Sequence, residues 1–186
     1  LRERVNWGQS LQSRAPGIYI VSMSPSEHRN DTVLPEIPIS PMVVAQWLEK
    51  VPDLMLDGQT APTPDQLCER LGRFWIPDES ILYIGMTSQP LRNRLRQYYQ
   101  TPLGDKRPHR GGHWIKTLSL TSSLYVFIAE CNNPDRVEGI LFETFKNAVS
   151  TISRKNLFDP NQPLPFANLE DQFRQRKKHG LGHMTL

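Results

Sequence analysis

The sequence predicts an α+β domain in which a small sheet is flanked by helices. Short runs rich in β-branched and aromatic residues recur at 17–21, 80–85 and 124–129. Between and after them come stretches with apolar residues at helical spacing. Several of these stretches open with a capping residue followed by proline.

Ala15-Pro16 introduces the first strand, Gly17-Ile18-Tyr19-Ile20-Val21. A helix is then expected after Ser40-Pro41, with Val43, Val44, Trp47 and Leu48 as its apolar residues. Thr63-Pro64-Asp65-Gln66 has the form of a capping box, in which two side chains each satisfy a free backbone N–H at the helix start. Its helix carries Leu67, Leu71 and Phe74, and Asp57-Gly58 and Ile76-Pro77 punctuate the region. The second strand, 80–85, ends on Gly85, and a helix from about Leu91 to Tyr99 follows Pro90. Residues 101–112 are turn-rich. After the strand at 124–129, Asn132-Asn133-Pro134 starts a long helix to about Ile152. Pro160, Pro163 and Pro165 then favour extended backbone towards Phe166-Ala167-Asn168-Leu169.

With 186 residues, 38% of them hydrophobic, the chain suits one globular domain. It has no run of about 18 apolar residues, so no transmembrane helix is expected. It shows no secretory leader, and Cys68 and Cys131 are too few for a disulfide framework, so a reducing cytoplasm is the expected setting. P-loop, dinucleotide, H-E-x-x-H and zinc-ligand spacings are all missing. Charge is uneven. Arg92, Arg94, Arg96, Lys106, Arg107, Arg110 and Lys116 face only Asp105 between 92 and 116, a local balance of +6. Residues 22–80 hold ten acidic and four basic side chains, a balance of −6. A cationic stretch within a nearly neutral chain favours a polyanion at one face.

Gly17-Ile18-Tyr19 and Tyr83-Ile84-Gly85, followed by the Leu91-x-x-Arg94 helix, resemble the motifs of the GIY-YIG nucleases. The resemblance spans about 15–170, and 22–80 then reads as an acidic helical insertion, because Tyr19 and Tyr83 are 64 positions apart. Residues 1–14 read as an N-terminal extension and 171–186 as a basic tail. The resemblance implies a mainly antiparallel sheet carrying both tyrosines, an arginine on the next helix, a metal-binding glutamate on a later helix and a late asparagine. It implies metal-dependent DNA cleavage leaving 5′-phosphate and 3′-hydroxyl ends. One tyrosine would act as general base or orient the water. Some relatives carry lysine after the YIG glycine, where this chain has Met86, and histidine where it has Tyr98.

Helical projection, at about 100° per residue, places the remaining candidates. Leu91, Leu95 and Tyr98 form an apolar face with Arg94 at its edge, free to grip a phosphate. Arg92 and Arg96 fall near Tyr99 and read as DNA-backbone contacts or plain surface charge, and Lys106, Arg107, Arg110 and Lys116 join them as candidate DNA contacts. Of the two candidate glutamates, Glu138 lies within the stripe of Val137, Ile140, Leu141, Phe142, Phe145, Val149 and Ile152, while Glu143 lies opposite. A carboxylate in an apolar stripe needs compensation, so Glu138 is expected to hold Mg²⁺ or Mn²⁺. Asn168 is preferred to Asn156 as the late asparagine. His109, in a basic glycine-containing loop, is a candidate phosphate or proton-transfer group. The insertion could serve a homodimer or a partner protein. The alternative reading is a non-catalytic nucleic-acid-binding or protein-interaction module.

Overall fold

The computed structural model describes residues 3–26, 32–105 and 112–183. It is an α+β structure built around a four-stranded sheet. The strands are β1 (Glu3–Asn6), β2 (Gly17–Ser22), β5 (Ile81–Thr87) and β6 (Tyr125–Glu130), in the order β1-β6-β2-β5, with every neighbour antiparallel. The two strands carrying the tyrosines are adjacent, and Tyr19 sits opposite Gly85. β5 is an edge strand. Glu3–Asn6, within the stretch expected to be an N-terminal extension, supply the opposite edge: Val5 is buried and pairs with Val126.

The described part of the segment between β2 and β5, residues 32–80, is folded. Helix α1 (Pro41–Lys50) is capped by Ser40, whose hydroxyl accepts the Val43 N–H. Helix α2 (Pro64–Gly72) carries the reciprocal Thr63–Gln66 capping box expected from sequence. Between them lies a hairpin, β3 (Leu54–Leu56) and β4 (Gln59–Thr60), turning at Asp57-Gly58 with both φ positive. The hairpin is extended by β7 (Leu181–His183). The basic tail is therefore woven into this segment. Lys177 is 3% exposed, its ammonium donating to the carbonyls of Pro165 and Phe166 beside the rings of Phe74 and Trp114.

Helix α3 (Leu91–Gln100) buries Leu91, Leu95 and Tyr98. A short helix, α4 (Gly112–Lys116), and a turn of 3-10 helix at Thr121–Ser123 lead into β6. Helix α5 (Pro134–Ala148) packs on β5 and β2, burying Phe142 and Phe145. The expected long helix is two: Val149 leaves helical geometry and Ser150 caps α6 (Thr151–Asn156). The apolar stripe stops with the break, so Ile152 is 76% exposed. Ile140 is also exposed and does not belong to the packed face. Two apolar clusters result. One surrounds Tyr19, Tyr98 and Trp114; the other lies between α5 and the sheet around Ile20, Ile84 and Phe127. Among the described residues no helix is long and apolar enough to cross a membrane.

Candidate active site

Four of the sequence-selected side chains meet at the edge of the sheet. The Tyr19 and Tyr83 rings stack with centroids 5.8 Å apart, and Tyr98 from α3 closes the group, 5.2 Å from Tyr83 and 6.1 Å from Tyr19. Trp7 packs behind Tyr98 at 5.2 Å. The Tyr19 hydroxyl oxygen accepts hydrogen bonds from the Arg94 guanidinium and the Tyr83 hydroxyl. Arg94 Nε is buried and has no hydrogen-bond partner among the described residues. Arg94 thus holds the phenol with one part of its fork.

Glu138 comes to the same place from α5. Its carboxylate accepts the Met86 backbone N–H on the open side of β5. Burial raises its pKa to about 7, Asp135 adds to the rise, and Arg174, Arg94 and the Met86 N–H oppose it. Glu143 points away, donated to by Gln172 and 3.6 Å from Lys146. Tyr83, Met86, Arg94, Glu138 and Asn168 line one open cleft of about 600 Å³. Asp135, Arg136, Glu170 and Arg174 also line it, and the sequence reading did not select them. Asp135 could have been found, since a residue three before Glu138 shares its helix face.

Asn168 has a structural task. Its Oδ1 accepts the Ile84 N–H at 2.9 Å and its Nδ2 donates to the Ile84 carbonyl at 2.7 Å. One residue offers both partners, so the amide orientation is fixed. Ala167 N–H donates to the Leu82 carbonyl beside it. The chain at 167–168 therefore replaces a fifth strand along β5, and with Glu138 on Met86 it completes the edge. Asn168→Ala would leave two buried backbone groups unpaired and is expected to cost about 2–4 kcal/mol. Asn168→Asp, unable to donate to the Ile84 carbonyl at neutral pH, should recover little of it in urea unfolding. Asn156, at the end of α6, is exposed.

Burial pushes the pKa of Tyr19 above its ordinary value, with the Arg94 charge and hydrogen bond opposing, and pushes Tyr83 and Tyr98 well above theirs. All three are neutral phenols near pH 7. The lowering that a tyrosine base would need is not present in the protein alone.

The cationic candidates divide. Arg92 and Arg96 line a separate cleft of about 590 Å³ with Tyr99 and the loop at 8–11, so α3 shows one arginine to the tyrosines and two to another face. Lys116 donates its ammonium to the Thr101 carbonyl, and burial lowers its pKa. His109, Lys106, Arg107 and Arg110 lie outside the described residues. Among the described residues no group of three or more His, Cys, Asp and Glu could hold a metal ion. No family model, curated protein or solved structure matches the chain.

Proposed function

We propose that this chain is a metal-dependent endonuclease of the GIY-YIG type that hydrolyses DNA phosphodiester bonds to 5′-phosphate and 3′-hydroxyl ends. The reading rests on one observation: Tyr83, Arg94 and Glu138, brought from one strand and two helices, line one open cleft, with Tyr19 buried behind them and hydrogen-bonded to Tyr83 and Arg94. Phosphoryl transfer needs positive charge for the developing oxyanion and control of the attacking water. Arg94, which lines the cleft, would present its guanidinium to a non-bridging phosphate oxygen. The Tyr83 hydroxyl, which lines the cleft and donates to Tyr19, would accept a hydrogen bond from the attacking water and orient it.

The residues fit a single hard cation. Glu138 is a half-buried carboxylate with no side chain hydrogen-bonded to it among the described residues, and its raised pKa marks an ionised form whose burial Arg174 and Arg94 only partly offset. One carboxylate completed by phosphate oxygens and water suits Mg²⁺ or Mn²⁺. Such an ion supplies charge stabilisation at the phosphate and at the leaving 3′-oxygen. Asp171 is paired with Lys146, and the other charged residues lining the cleft are Arg94, Arg136 and Arg174 against Asp135, Glu138 and Glu170.

Supercoiled plasmid should be nicked with Mg²⁺ and left intact with EDTA. Intact plasmid under both conditions, with DNA still bound, would instead favour a non-catalytic binding module. That second reading draws on the complete burial of Tyr19, which a substrate would have to reach through Tyr83 or Arg94. An insertion serving a partner protein or a homodimer belongs to either reading.

A further inference from the structure

The rim of the cleft carries a turn built more firmly than its exposed position requires. Asp171 is its centre. Its side chain is wholly buried; Oδ1 accepts the N–H groups of Phe173 at 2.9 Å and Gln175 at 3.0 Å, and Oδ2 takes the Lys146 ammonium at 2.9 Å. Burial alone would raise its pKa, but Lys146 and the backbone donors hold it below the ordinary carboxylate value. The backbone closes twice more, Arg174 N–H to the Asp171 carbonyl and Asp171 N–H to the Gln175 carbonyl, with a bridge between Glu170 and Arg176 below. Gln172 ties the turn to Glu143 of α5.

This scaffold presents two side chains outward. Phe173 is 69% exposed. Arg174 has φ of +62°, a left-handed conformation that costs a non-glycine residue free energy and persists only where its surroundings impose it. Its guanidinium lines the cleft with Arg94 and Glu138, and its bond to Glu170 is an exposed pair that a phosphate can displace. Phe173 borders an adjoining shallow groove with Ile140 of α5, also exposed. An exposed ring on a hydrogen-bonded turn, beside a guanidinium and continuous with the cleft, matches the repeating chemistry of a nucleic-acid strand. A ring face accepts a base and a guanidinium accepts the neighbouring phosphate.

We propose that the Phe173-Arg174 turn is a strand-holding element: Phe173 stacks on an unpaired base of the strand whose scissile phosphate lies at Arg94, and Arg174 grips the next phosphate. This rests on the nuclease reading of the cleft and adds that the substrate is opened or single-stranded beside the cut.

The test is fluorescence anisotropy of a labelled oligonucleotide, single-stranded and as duplex, with the full chain in EDTA. Phe173→Ala should weaken single-strand binding on the order of tenfold, and Phe173→Trp should preserve it. Arg174→Gly should weaken binding while raising the thermal midpoint by roughly 2–4 °C, because glycine adopts the backbone conformation without strain. Equal binding by the unaltered chain, Phe173→Ala and Arg174→Gly overturns this inference and leaves the cleft reading standing. If the unaltered chain binds neither oligonucleotide, both fall. If Phe173→Ala abolishes self-association in sedimentation without changing oligonucleotide binding, the ring belongs to a protein interface and the inference is overturned.

Discussion

Glu138→Ala and Glu138→Gln are both expected to reduce plasmid nicking by about 10³-fold or more, while DNA binding in EDTA changes little. The loss corresponds to ~4 kcal/mol of transition-state stabilisation, the scale of a metal-centred charge effect. A second readout separates this from damage to the fold. The carboxyl pKa is raised from 4.5 to about 7 by burial and by Asp135, so the folded protein holds its proton more tightly than the unfolded chain does. For an acid with a raised folded value, the penalty is absent below the unfolded pKa, grows as pH rises through that window, and is complete above the folded pKa. Glutamine keeps an oxygen for the Met86 N–H and removes the charge. In metal-free buffer Glu138→Gln should therefore be more stable than the unaltered chain at pH 8, by about 1–2 kcal/mol after allowing for partial solvent access. The difference should vanish near pH 4. Adding Mg²⁺ should stabilise the unaltered chain alone, since binding to the folded state raises its midpoint. Full nicking activity in either variant would overturn the metal assignment. A Mg²⁺ shift retained in Glu138→Gln would move the ion elsewhere in the cleft.

Much of this site was legible because it depends on local patterns. Strands β2 and β5 are continuous β-branched and aromatic runs, and their tyrosines meet through antiparallel pairing. Helical projection separated Arg94 from Arg92 and Arg96, and Glu138 from Glu143, because each helix rests one stripe on the sheet. What stayed hidden depends on contacts distant in sequence. Glu3-Arg-Val-Asn6 has one apolar residue, so its strand exists only through β6. Leu181-Gly-His183 is a strand only through Leu54–Leu56. Lys177 in a basic run reads as solvated, and its burial depends on two carbonyls and two rings brought by other segments. The over-extended helix had a local cause: the stripe was followed past Ser150, whose hydroxyl caps a new helix.

Gly85 is where the sheet and the chemistry are most tightly joined, and Gly85→Ala is expected to damage both. Its backbone is not left-handed, so the requirement for glycine is one of space. A Cβ there would lie 2.6 Å from Tyr19 Cζ, 2.8 Å from Tyr19 Oη and 2.5 Å from Tyr83 Cε1. Those atoms cannot all yield. Tyr19 is wholly buried and its hydroxyl is held by Arg94 and Tyr83, while the Tyr83 ring is flanked by Tyr19 and Tyr98. Relieving the contact means prising the ring pair from β5 or bending an edge strand that Asn168 clamps at Ile84. Overpacking of this kind costs about 1–3 kcal/mol. The functional loss should be larger than that stability loss implies, because Tyr19 carries the hydrogen bond that orients Arg94. An error of about 1 Å in positioning costs ~10²-fold in rate. Nicking should therefore fall by about 10²-fold or more at a temperature where circular dichroism still shows the folded state. A variant folded and fully active would mean that the phenols and the guanidinium need not keep this geometry, and the role given to the tyrosine pair would fail while the metal role of Glu138 stood.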